Sequence, residues 1–411
     1  MRKRTLVSVL LLCLLVMTGC TEQKSASHEV PLTPLPVTLM PQKPTQEVTV
    51  TPFEPISDTL VFSPTEENVK PIGRTVMIDG VRWCAFSGSG IEFAFAGKSC
   101  SVRLVGDEID AGTERNARIG IFIDGTRTKE IMMNEDGMKE VTVEILNSDT
   151  DTVANVRIVK LSEAADSTVG IAEIDAVGVV FPITPRKRKI EFIGDSITCG
   201  YGVDGHFDID VYSTANEDCT KAYAYRSAEI LGADYSLVCM SGYGIISGYT
   251  DTGEKLADKI IPPLYGTLGR SYAHFDGLYS PESFVWDVSE FRPDTVVINL
   301  GTNDMSYCKD DPDKRAEFTE QYAAFLRAVR AKNPDAIIVC TLGIMGTDLN
   351  QSMQQAVINY KNESGDGNVY VMFFPMQDEA DGLAVDWHPS PMTHEKAAGK
   401  LAAFLKSLWE E

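Results

Sequence analysis

The chain has no concentration of positive charge. Across 411 residues, 37 Lys and Arg face 59 Asp and Glu, for a formal charge of −22. A nucleic-acid partner is excluded on that ground, because the phosphate backbone would be repelled rather than neutralised. The longest basic cluster, Arg186-Lys187-Arg188-Lys189, reads as a hinge ahead of a strand. The chain also lacks any CxxC pair or His/Cys spacing that would hold a metal, so no metal and no cofactor are expected. The apolar stretch Leu6–Val16 is too short for a good membrane span. Behind Arg2-Lys3-Arg4 it has the proportions of a secretory signal. Histidine is scarce, at five in the chain, so few groups can serve as an imidazole base.

What is present divides the chain into four parts. Residues 1–20 are expected to be a signal ending in Met17-Thr18-Gly19-Cys20, which resembles a bacterial lipobox. Cys20 would then be the lipid anchor on the outer face of the cell membrane, with plain secretion as the alternative. Residues 21–66 are rich in Pro, Thr, Ser and Glu and read as a disordered stalk; His28 lies there without a role. Residues 67–183 read as an all-β sandwich or jelly roll, with strands at Ile91–Phe95, Ser101–Leu104, Ala117–Ile123 and Val156–Val159. Asp124-Gly125 marks a tight turn there, and the lone Trp83 is read as core. Cysteines at 84, 100, 199, 219, 239, 308 and 340 remain beyond Cys20. Their odd number implies a free thiol or an intermolecular bond, and Cys84–Cys100 and Cys199–Cys219 are candidate pairs with connectivity left open.

From residue 187 to 411 the period changes. Five apolar strands, Ile190–Ile193, Tyr235–Met240, Thr295–Leu300, Ala336–Thr341 and Val369–Phe374, alternate with helical patterns. Phe318, Tyr322, Phe325, Leu326 and Val329 recur at three- and four-residue spacing, one apolar helix face. Strands alternating with helices imply a parallel sheet covered on both faces, with its site at the carboxyl ends of the strands.

Four segments fall at such ends. Gly194-Asp195-Ser196 follows the first strand, Ser241-Gly242 the second and Gly301-Thr302-Asn303-Asp304 the third, while Asp386-Trp387-His388-Pro389 comes after the last. A serine hydroxyl needs a base, and an imidazole suits because it titrates near working pH. An attacked carbonyl also needs pre-aimed donors for its oxyanion. The Ser196 amide, the Gly242 amide and the Asn303 side chain can supply them. The other candidates get plainer readings. His394 belongs to the start of the last helix, His206 is a loop residue, and His274 and Trp286 lie in the Thr250–Arg292 insertion. Asp195 and Asp304 hold loops through backbone amides, and Trp286 and Tyr243 either pack or stack on a sugar ring.

These four blocks, in this order, resemble the SGNH (GDSL-type) hydrolases. The string from Gly194 to Gly202, the Asp386-Trp387-His388-Pro389 ending and a preceding jelly roll are similar to carbohydrate esterase family 2. The resemblance implies a flavodoxin-like three-layer α/β domain with a five-stranded parallel sheet. It implies Ser196 as nucleophile, His388 as base, and Ser196, Gly242 and Asn303 as the oxyanion hole. The implied activity is removal of acetyl groups from plant polysaccharides such as xylan and glucomannan. Alternatives are an esterase on bacterial wall glycan or lipid esters, or a carbohydrate-binding surface protein with little turnover. One position departs from the pattern. Many SGNH enzymes carry an acid three residues before the His, and here that residue is Val385. Either Asp386 orients the imidazole as a third catalytic member, or a backbone carbonyl does and leaves a Ser–His pair.

Overall fold

The described part of the chain, residues 58–110 and 112–410 of a computed structural model, begins as strand. The expected signal, the expected anchor Cys20 and most of the expected stalk lie outside the described residues. Nine strands, β1 (Leu60–Phe62), β2 (Lys70–Ile72), β3 (Thr75–Ile78), β4 (Val81–Cys84), β5 (Gly90–Gly106), β6 (Arg118–Ile123), β7 (Thr126–Met132), β8 (Glu140–Lys160) and β9 (Val169–Pro182), form one sheet. Every pair in it is antiparallel. β1 pairs with Ile174–Ala176 of β9. Leu60–Phe62, inside the stretch expected to be stalk, is therefore strand, because Leu60-Val61-Phe62 is apolar enough to add an edge strand. The two strands expected at Ile91–Phe95 and Ser101–Leu104 are one strand, β5, interrupted by bulges at Gly97/Ser99 and Cys100/Ser101. Such bulges sharpen twist and let a long strand bend. Asp124 and Gly125, both at positive φ, make the hairpin between β6 and β7. Phe93, Phe95, Val102, Leu104, Ile119, Ile121, Val156 and Ile158 fill this domain's core.

The second sheet is parallel throughout, in the order β11 (Asp234–Cys239), β10 (Lys189–Gly194), β12 (Thr295–Asn299), β13 (Ile337–Ile344), β14 (Val369–Met376). The first strand in sequence is thus second in space, the flavodoxin-like order. Neighbouring residues of one strand face opposite layers. Val296 and Ile298 pack with Phe318, Tyr322 and Val357 from α4 (Pro312–Lys332) and α5 (Asn350–Ser364). Val297 and Phe192 pack with Tyr223, Ala228, Leu401 and Leu405 from α2 (Tyr223–Leu231) and α6 (Pro391–Glu410). Two further helices are short: α1 (Ser196–Cys199) and α3 (Thr302–Cys308).

The two domains meet through buried charge. Arg74, between β2 and β3, donates to the carbonyls of Tyr265 and Thr267 and to the carboxylate of Glu191 on β10. Arg157 of β8 binds Glu92, Glu229 and the Tyr225 hydroxyl. All seven cysteines among the described residues are buried free thiols, so neither candidate pair is bridged. Each sits in a packed core, and burial pushes the Cys84 thiol up to about 11 and the Cys100 thiol up to about 12.

Candidate active site

Ser196 opens α1, two residues beyond the end of β10, and is 6% exposed. Asp195 caps the helix: its Oδ1 accepts from the Ile197 amide at 3.1 Å. The serine is therefore placed by backbone on both sides, at the carboxyl end of β10. The next strand-end segment carries Gly242, whose φ of +77° needs no side chain. Asn303 lies in the first turn of α3, and its Nδ2 donates to the Tyr243 carbonyl at 2.8 Å, with Asp195 Oδ2 at 3.5 Å. Those two contacts draw the β10, β11 and β12 ends together. Among the described residues, the Ser196 and Gly242 amides have no protein acceptor. Donors left unpaired at a cleft edge suit an incoming anion.

Asp304 fixes this arrangement from beneath. Fully buried, its carboxylate accepts from the Ile245, Ile246 and Ser247 amides at 2.7–3.1 Å. Burial pushes its pKa up to about 6 against the pull of those amides. Asp195 is driven up to about 7, chiefly by burial and then by the Asp304 charge, with the Ile197 amide opposing. Both are loop-holding groups, as their sequence context suggests.

His388 arrives from the far side of the sheet. Its Nδ1 lies 3.0 Å from the Val385 carbonyl, which also accepts from the His388 amide at 3.0 Å. A carbonyl only accepts, so Nδ1 carries the proton and Nε2 keeps its lone pair. Desolvation pulls the half-buried imidazole down to about 4, opposed by the Val385 carbonyl and the Asp386 charge. The ring is a neutral base at neutral pH. Asp386 does not meet Nδ1: its Oδ2 accepts from the Tyr201 hydroxyl at 2.9 Å. The residue that lacks an acid side chain, Val385, thus supplies the orienting group through its backbone. The Val385 side chain packs closely on Gly202, where an added Cβ would come within 2.6 Å of Val385 Cβ.

Residues not singled out from sequence complete the cleft. The Tyr201 ring lies 4.3 Å from the His388 ring and stacks on Tyr212 at 4.0 Å. Asp386 and Trp387 hold φ of +51° and +65°, a pair of left-handed side-chain residues costing about 1–3 kcal/mol each. That turn leaves Trp387 50% exposed beside the base and against Phe207. Aromatic residues flanking Gly200 and His388 were the available signal. Trp83, Trp286 and Tyr243 are buried packing residues. His394 is buried too, and its Nδ1 accepts the Tyr223 amide that opens α2, a helix with no side-chain cap of its own. His274 is tied to Glu108 of the β domain through both its amide and its ring. His206 sits in a loop, its amide on Asp210. A cavity of about 450 Å3 opens elsewhere, lined by Lys189 and Asp234 at the amino ends of the strands, and takes no part in this site.

The GDSL-like lipase/acylhydrolase family matches residues 192–396, and the carbohydrate esterase 2 N-terminal family matches residues 71–181. The chain is 33% identical over 337 residues to the cellulase/esterase CelE of Acetivibrio thermocellus, covering 79% of this chain and 37% of CelE, so it spans little more than a third of that relative's length. It is 26% identical over 363 residues to an acetylxylan esterase / glucomannan deacetylase of Cellvibrio japonicus, covering 86% of this chain and 93% of that one. Among solved structures, a family two carbohydrate esterase from Clostridium thermocellum in complex with cellohexaose superposes with a TM-score of 0.71 at 31% identity, over 83% of this chain and 99% of that one.

Proposed function

Since the chain belongs to carbohydrate esterase family 2, we propose that it is a serine esterase removing O-acetyl groups from plant cell-wall polysaccharide of the acetylxylan and glucomannan type. The observation that carries the substrate is the pairing of the serine domain with the family's own β domain, over nearly the whole length of a relative named for those two activities.

The chemistry follows from the site. Nε2 of His388 takes the Ser196 hydroxyl proton as Oγ attacks the acetyl carbonyl. The Ser196 and Gly242 amides and the Asn303 Nδ2 face the oxygen that becomes negative; Asn303 keeps one N–H on the Tyr243 carbonyl and offers its second, which otherwise has only the 3.5 Å contact to Asp195 Oδ2. The imidazolium, steadied by the Val385 carbonyl, then protonates the departing sugar hydroxyl. Water activated by the same Nε2 releases acetate and restores Ser196. Acetyl is too small to carry specificity, so the sugar is read by the cleft wall, where half-exposed Trp387 offers a ring face. We place the enzyme on the outer face of the membrane, tethered by acylated Cys20; Cys20→Ser should then appear in the medium, and retention at the membrane would refute the tether.

Acetate release from acetylated xylan, glucomannan and bacterial wall glycan, compared side by side, tests the reading. Release from the two plant polymers should dominate and vanish in Ser196→Ala. Equal slow release from all three would leave the polysaccharide assignment without support, and turnover by Ser196→Ala would remove the nucleophile.

A further inference from the structure

Three carboxyls lie buried beside the cleft with one lysine among them. Glu163 and Asp166 come from the loop joining β8 to β9 of the β domain, and Glu217 from the segment before α2. Glu163 Oε2 accepts from the Ser241 amide at 2.8 Å, the N–H one residue before that of Gly242. The Glu163 amide donates to Glu217 Oε2 at 2.9 Å. The Tyr212 hydroxyl lies 2.9 Å from that same oxygen and 2.7 Å from Asp166 Oδ2. Lys160 Nζ pins the Glu163 loop by donating to the carbonyls of Ser162 and Glu163.

A hydroxyl has a single proton to give, so Tyr212 can donate to only one of its two carboxyl neighbours. The other contact requires a proton on the carboxyl. Burial, and then the repulsion of neighbouring carboxylates, favours it: Glu217 is pushed well above the carboxylate range, and burial raises Asp166 as well. Glu163, Cys199 and Glu217 also bring possible ligand atoms within 4.8 Å of one another. The Oε2 atoms of both glutamates are nonetheless already engaged by N–H and O–H donors. Beyond Tyr212 the chain of contacts continues through the Tyr201 ring to His388.

We infer that Glu163, with Glu217 and Tyr212, is a positioning unit through which the β domain holds both the Gly242 oxyanion donor and the His388 base in register. Glu163 fixes the Met240–Ser241 peptide, the one preceding the peptide that carries the Gly242 N–H, and Tyr212 fixes the Tyr201 ring against which the imidazole rests. This rests on the reading of Ser196 as nucleophile and Gly242 as donor, and it gives the non-catalytic domain a part in the chemical step.

The test uses the full chain with acetate release and thermal unfolding measured together. Glu163→Met keeps the volume and loses the acceptor for Ser241; Glu163→Gln keeps an acceptor oxygen. Expected is a kcat loss of about 30-fold in Glu163→Met at KM within twofold, less than the hundredfold or more of deleting an oxyanion donor, and a loss of only about threefold in Glu163→Gln. Tyr212→Phe, which deletes a hydroxyl and keeps the ring, covers the case in which Glu163→Met does not fold. Its kcat should fall about fivefold with KM unchanged. Equal losses in Met and Gln, a change in KM alone, or unaltered kcat in a folded Glu163→Met or in Tyr212→Phe would overturn the inference. Activity surviving in Ser196→Ala would instead remove the reading beneath it.

Discussion

At the scale of single residues, the base is set by one oxygen. With Nδ1 committed to the Val385 carbonyl, the Asp386 carboxylate acts on the imidazole only through its charge and through the Tyr201 hydroxyl it accepts. Asp386→Asn keeps an acceptor and tolerates the left-handed backbone, so kcat should fall less than about tenfold. His388→Ala should reduce it at least a thousandfold, as loss of a general base commonly does. A loss from Asp386→Asn matching that of His388→Ala would restore the acid to the triad. The pH profile is a second residue-scale expectation. Neutral imidazole is the active form, and its pKa lies below the ordinary 6.5, at about 4. Activity should therefore persist as pH falls through 6.5, with the acid limb of kcat/KM for an aryl acetate lying clearly lower. A limb at 6.5 or above would show that the folded protein does not desolvate the ring.

At the scale of elements, loops built on glycine and aspartate align the strand ends. Asp304 alone satisfies three buried amides of the loop after Gly242. Asp304→Ala orphans all three, at about 1–3 kcal/mol for each that stays buried. It should lower the melting temperature and kcat together, whereas Asp304→Asn should keep part of both. The Asp386–Trp387 turn makes a different prediction. Trp387→Ala should raise KM for acetylated polysaccharide several-fold while sparing turnover of an aryl acetate, because the half-exposed ring rests on Phe207 and belongs to the residue next to the base. Equal effects on both substrates would make it a purely structural residue. The α/β elements were legible because periodicity records burial: the expected strand Thr295–Leu300 is β12 to within a residue, and Phe318 to Val329 line the buried face of α4. The division of β5 was misread because alternation continues through a bulge while pairing shifts register. Ser196, Gly242, Asn303 and His388 were legible since each side chain or glycine is itself the signal. The Val385 carbonyl was not, because any residue supplies a carbonyl and only the fold aims it. Glu163 and Ser241 meet across 78 residues, and Tyr201 and Asp386 across 185, separations that no local pattern encodes.

At the scale of the whole molecule, the β domain and the α/β domain share a seam of paired, buried ions. Arg74 and Glu191 are both nearly inaccessible and bonded to each other, and the guanidinium also lies over the rings of Tyr265 and Trp286, 5.3 Å from each. Burying such a pair costs desolvation that its attraction roughly repays, so the pair itself contributes little net stability. Removing one partner is another matter. Arg74→Met leaves the Glu191 carboxylate in an apolar seam and strips the Tyr265 and Thr267 carbonyls of their donor. A loss of about 3–5 kcal/mol is expected, read as a lower midpoint in urea. The double variant Arg74→Met with Glu191→Leu removes both charges, and should recover most of that loss while the two carbonyls keep a residual deficit. Since Glu191 lies on β10, the strand that ends at Ser196, Arg74→Met should lower kcat as well as stability, even though Arg74 lies toward the opposite end of the strand from the nucleophile. A double variant no more stable than Arg74→Met would mean that the seam is held by the carbonyl contacts rather than by the ion pair.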